Sequence, residues 1–168
     1  APTLSAHPGG VVMAMATVPL IGNRLHAINQ LLTVSGYTIH TRRYFPAEIT
    51  YAMLPLLVPT WGGQGISVPQ AGAGQFSGGR VWSIVLYAGE WMMGYPSESA
   101  QAAAEAVIDP LIALYVARPL LELDGVTPYR LDGVSQVELQ EDSGLTSDAT
   151  GAFAVVRLPL VIRAVYSL

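Results

Sequence analysis

The sequence predicts an α+β domain, a single mainly antiparallel or mixed sheet of about four to five strands packed with two main helices. Three observations carry this expectation. An early apolar stripe recurs at helical spacing. A second helical stretch occupies residues 100–117. Several strand-like segments, among them "RVWSIVLYAGEW" and "AFAVVRLPLVIRAVYSL", lie around and after them. With 168 residues the chain suits one domain, 1–168, with no internal repeat or boundary.

Residues 1–16 read as an N-terminal arm: "SAHPGG" is a breaker, and "VVMAMA" has strand, helix or arm character. Thr17 can cap a helix with Pro19 in its first turn. Ile21, Leu25, Ile28 and Leu32 then share one helical face, and Gly36 is a candidate stop. "YTIHTRRY" reads as a strand with Ile39 and Thr41 on one face and His40 and Arg42 on the other. "YAMLPLLVP" reads as a second strand, which Pro55 assigns to an edge or a bulge. Residues 61–79, rich in Gly, Gln and Ser, read as one long loop.

The next strand has Trp82, Ile84 and Leu86 on one face and Val81, Val85 and Tyr87 on the other, so both faces should be covered. "GYP" turns the chain. Ser97 or Ser99 can cap the second helix, which Val107, Leu111 and Leu114 line. Pro110 should kink this helix or restart it, and Pro119 should end it. "RLDGVSQVELQED" reads as one strand, with Val137 and Leu139 pointing inward. The closing strand puts Ala154, Val156, Leu158, Leu160 and Ile162 on one face and Arg157 and Arg163 on the other.

Hydrophobic residues make up 51% and charged residues 12%, against about 25% charged in a typical soluble domain. Such a chain suits a membrane or an assembly. No apolar run reaches the roughly 20 residues of a spanning helix: Glu105, Asp109, Arg118 and Glu122 interrupt 102–123. No basic residue precedes the A-x-A-like "MAMAT", so the expectation is a chain that has lost its Met, not a signal peptide. The net charge is −4 and every basic residue is Arg. An acidic domain with scattered Arg is a poor wrapper of nucleic acid. Without Cys there is neither a disulfide nor a thiolate metal site.

The residues nominate no catalytic constellation. "GAGQFSGG" has no Lys and leads into a strand, so it is not a phosphate-binding loop. His7, His26 and His40 lack metal-ligand spacing, and no G-x-S-x-G elbow occurs. Glu138, Glu141 and Asp142 read as a solvated strand end, with weak cation binding or an ion pair to Arg157 or Arg163 as alternatives. No cofactor is expected. Candidate interface residues fall into three groups. Trp61, Ile66, Val68, Phe76 and Arg80 would anchor the 61–79 loop as an arm ordering against a neighbour. Trp91, Met92, Met93 and Tyr95 are core by default and an interface edge in the functional reading. Arg157 and Arg163 should act through a cross-strand or intersubunit ion pair, not through DNA.

Four stretches carry a resemblance spanning about Val18 to Leu168. They are "PLIGNRLHAINQLL"; "LPLLVPTWGG"; "RVWSIVLYAGEW" followed by "SAQAAAEAVIDPLIALYVARPLL"; and "DSGLTSDATGAFAVVRLPLVIRAVYSL". Their order resembles the tail terminator proteins of long-tailed bacteriophages. The resemblance implies a hexameric ring, with no catalytic residues, that caps the tail tube and stops its polymerisation. It further implies a joint to the head connector or stopper, DNA passing through the hole without specific binding, and a place in the virion at the head–tail neck, after assembly in the host cytoplasm. An acidic subunit suits such a channel. Two alternatives stay open: another ring component, whether a stopper or a tube subunit, and a small ligand-binding or hydrolase domain.

Overall fold

A computed structural model of the chain describes residues 18–61, 70–72, 75–121, 129–134, 139–142 and 152–167. The expected arm at 1–16 lies outside the described residues. The architecture is α+β, with one mixed sheet packed against two helices. Helix α1 spans Val18–Asn29 and helix α2 spans Glu98–Val116. The strands are β1 (His40–Thr41), β2 (Leu56–Trp61), β3 (Gln70–Gly72), β4 (Gln75–Met92), β5 (Tyr95–Pro96), β6 (Tyr129–Val134), β7 (Leu139–Asp142) and β8 (Phe153–Ser167).

The sheet order is β1-β2-β4-β8-β6, with β3 and β5 also on β4 and β7 also on β8. Among the described residues only β1 and β2 run parallel; the other pairs are antiparallel. The spine is the pair of long strands, in register from Gln75↔Ser167 to Glu90↔Phe153. Ala88 shares the helix side with Trp82, Ile84 and Leu86, and a bulge between Tyr87 and Gly89 then shifts the register so that Gly89 pairs with Ala154.

Among the described side chains of β4, those from Trp82 to Ala88 are covered on both faces, as the apolar pattern requires. On one face, Ile21, Leu25 and Ile28 of α1 and Val107, Leu111 and Tyr115 of α2 pack on Trp82, Ile84, Leu86, Val156, Leu158 and Leu160. On the other, Val85, Tyr87, Phe153 and Val155 are closed over by Ile49, Met53 and Leu54. Edge-to-face contacts link Tyr87 with Phe45 and Phe153, and Phe153 with Tyr51. Ser97 caps α2, its Oγ accepting from the Ala100 N–H at 3.1 Å.

Several expectations are corrected. The α1 helix stops at Asn29, and Gly36, with φ of 87°, serves the tight turn that brings Val34 to Tyr37. The "YTIHTRRY" strand shrinks to His40–Thr41. The segment before Leu56 is not strand: Tyr51–Met53 form a 3₁₀ turn, and Pro55 precedes β2 instead of interrupting it. Nor is β2 an edge, since β1 and β4 flank it. Pro110 neither ends nor restarts α2, which runs through it. Of the strand expected at 130–142, the described residues form β6 and β7, both on β8, and residues 135–138 lie outside the described residues.

Part of the loop expected at 61–79 is also corrected, residues 62–69 and 73–74 lying outside the described residues. Trp61 belongs to β2, and residues 75–79 belong to β4, where Gln70–Gly72 fold back as β3. A strand with Phe76 opposite Tyr166 and Arg80 opposite Ile162 is not a loop. The glycines misled: Gly78 and Gly79 carry no side chain to show an alternating pattern.

Candidate functional site

Two apolar surfaces stand out among the described residues, one toward each end of the sheet. The first is the β4–β5 turn. Trp91 pairs with Pro96 and Met92 with Tyr95, leaving Met93 and Gly94 as a two-residue loop. Both have positive φ, 49° and 88°. That is the mirror-image turn whose twist matches a hairpin, and it favours Asn-Gly over Met-Gly. Met93 is 95% exposed and Tyr95 75% exposed, with Met92 exposed beside them. The sequence group thus separates: Trp91 is half-buried, and the other three form an outward tip. Three exposed carboxylates, Glu90, Glu98 and Glu141, belong to the same end of the sheet.

The second surface is a groove of about 330 Å³ beside the start of α1. Val18, Arg43, Tyr44, Phe45, Trp61 and Trp82 line it. Trp61 and Trp82 stand directly opposite each other on β2 and β4, so their side chains share a face. Trp82 is buried while Trp61 is 53% exposed and Tyr44 68% exposed. Arg43 binds them together. Its Nε donates to Asn23 Oδ1 at 2.8 Å, and its guanidinium lies 4.3 Å from the Tyr44 ring centre and 5.9 Å from that of Trp82. Gly22 makes room for it, because a Cβ there would stand 2.0 Å from an Arg43 nitrogen. The Trp82 Nε1–H is buried and has no acceptor among the described residues.

The remaining interface candidates are distributed along the sheet. Ile66 and Val68 lie outside the described residues. Phe76 and Arg80 are in β4. Arg157 is exposed, opposite Val85. Arg163 stands opposite Gly79 on β4 and Arg130 on β6. The candidates therefore do not form one site: Trp61 belongs to the groove, and Met92, Met93 and Tyr95 to the turn. Sequence reasoning missed Arg43, Tyr44 and Phe45. The adjacent "RRY" was a signal, since consecutive cations beside aromatics seldom all fit a half-buried strand.

Two groups have shifted ionisation. Burial raises Tyr115 well above 10.0, against a smaller opposing effect of Arg118. Desolvation, then the Arg43 charge, lowers His26 from 6.5. Among the described residues neither belongs to a cluster of acids and bases suited to proton transfer, and no group of three or more metal-ligating side chains occurs. The α2 helix is long and apolar enough, by length and composition, to cross a membrane; here its Ala100–Tyr115 face packs on the sheet. No protein-family model matches the sequence, and no curated protein matches it.

Proposed function

We propose that the chain is a structural, non-catalytic subunit of a closed ring that terminates a bacteriophage tail tube and joins it to the head connector. The observation that carries the ring is the Met93–Tyr95 tip. A chain with only 12% charged residues holds two large apolar side chains out on a strained turn, where a monomer would have every reason to place polar ones. The resemblance in element order supplies the particle. The net charge of −4 suits a hole that DNA must traverse without sticking.

The test uses the purified full chain. Light scattering and negative-stain microscopy should find closed rings, alone or once the tube protein is added. Added to growing tubes, the chain should halt elongation and sit at one end. A well-behaved monomer at all concentrations, even beside its tube, would sink the reading. Open stacks of the chain itself would favour a tube subunit instead.

A further inference from the structure

We propose that the Met92–Tyr95 turn of one copy seats in the Arg43–Tyr44–Trp61 groove of the next, making the ring contact head-to-tail. The inference rests on the ring reading above and names the two surfaces that meet.

Four observations support it. First, the surfaces cannot meet within one chain. Trp82 floors the groove and Met92 starts the turn, and they are separated by about ten residues of extended β4, roughly 30 Å. A knob and a hole at opposite ends of a subunit form a heterologous contact, which generates rings when the rotation closes. Second, the sizes fit. The groove volume of about 330 Å³ is at the lower end of sites that enclose a small organic molecule, about 300–1,000 Å³, enough for one or two side chains. Met and Tyr are the side chains that fill such interface centres.

Third, the charges are complementary. Arg43 makes its contacts among the described residues with Asn23 and two aromatic rings, none of them an anion. The turn end carries exposed Glu90 and Glu98. The Trp82 Nε1–H also lacks an acceptor among the described residues, and a turn brings backbone carbonyls with it. Fourth, Met93 holds a left-handed φ of 49° and is 95% exposed, so the fold gains little from having Met there. Strain retained at an exposed position points to what the side chain does for something outside the chain.

The experiment compares the full chain with two variants by light scattering over a wide concentration range. Met93→Asn places a residue suited to the turn and removes the knob. Tyr44→Asp puts charge on the groove rim at an exposed position. Each alone should remain monomeric where the wild type assembles, and Met93→Asn should melt no lower than wild type. Mixed in equal amounts, the two should form dimers and nothing larger, because the pair retains one intact knob and one intact groove in matching orientation. Assembly of both variants like wild type would overturn this contact while leaving the ring reading untouched. A mixture that stays monomeric would overturn it too. A wild type that never assembles would remove the ring and the contact together.

Discussion

Tyr115 joins the two helices through one oxygen. Its Oη lies 2.6 Å from Asn29 Oδ1 and 3.0 Å from the Leu25 carbonyl oxygen. One phenol proton cannot serve two acceptors, and Asn29 Nδ2 is buried with no partner among the described residues. Turning the amide over resolves both: Nδ2 donates to the phenol, which donates to Leu25. Tyr115→Phe removes the shared oxygen and should cost about 1–3 kcal/mol in chemical denaturation. The same group sets an alkaline limit. Its folded pKa is raised, so the stability it contributes is complete below 10.0 and is lost as pH climbs through and beyond that value. Melting temperature against pH should fall less steeply above 10 in the Phe variant. His26 works in the opposite direction. Its pKa is lowered in the fold, so its contribution is present above 6.5 and fades as pH drops below it. Two glycines make a further contrast. A Cβ at Gly89 would stand 2.7 Å from the Ala100 Cβ and 2.9 Å from its Cα, which is backbone and cannot yield. Gly89→Ala should lower stability by about 1–3 kcal/mol through overpacking. At Gly22 the obstacle is the far end of Arg43, which can swing away. Gly22→Ala should leave the melting temperature level or higher, helped by helix propensity, while weakening assembly through a displaced guanidinium.

At the scale of elements, what the sequence made legible was what has a strong period. Ile21, Leu25 and Ile28 of α1, and Leu32 beyond its end, are buried as expected. The α2 face, the two-sided burial of β4 and the helix-side row Val156, Leu158, Leu160 and Ile162 of β8 also follow from spacing. Proline and glycine account for the misreadings. Pro110 looked like a break, yet α2 runs through it, because packing along Val107, Leu111 and Tyr115 holds both halves on one sheet. Leu111→Ala should therefore test the element: it empties a site beside the proline and should cost about 2–5 kcal/mol. The turn and groove were legible by halves. "WMMGY" and Trp61 were visible as aromatic and Met-rich, but which of them point outward depends on a two-residue turn and a bulge. Arg43 was invisible as a site residue because its partners, Asn23, Tyr44 and Trp82, come from three segments.

For the whole molecule, the question is which force would hold copies together in the proposed ring, and magnitudes decide it. Burying a Met or aromatic side chain such as Met93 or Tyr95 contributes about 1.5–3 kcal/mol each. A rim ion pair between Arg43 and a carboxylate contributes about 0–1 kcal/mol and is screened by salt. The apolar term dominates, so assembly should respond weakly to ionic strength. Raising sodium chloride from about 0.1 M to about 0.5 M screens the ion pair and should loosen each contact by no more than roughly tenfold. The ion pair then acts mainly on docking rate and orientation. DNA contact would behave differently. A protein neutralising six to ten phosphates loses about 10³–10⁵ in affinity between about 50 mM and 200 mM salt. With a net charge of −4, the assembled protein is expected to bind duplex DNA feebly even at low salt, so that the DNA slides through. Sedimentation of the assembly with and without a duplex, across a salt series, checks both expectations at once. The outcome that fits is a particle whose mass barely changes with salt and which carries no duplex along. If salt dissolves the particle steeply, charge and not the Met–Tyr knob holds it. If duplex co-sediments at low salt and is released as salt rises, the Arg side chains are contacting phosphate, and the ring is a clamp on DNA instead of a passive channel.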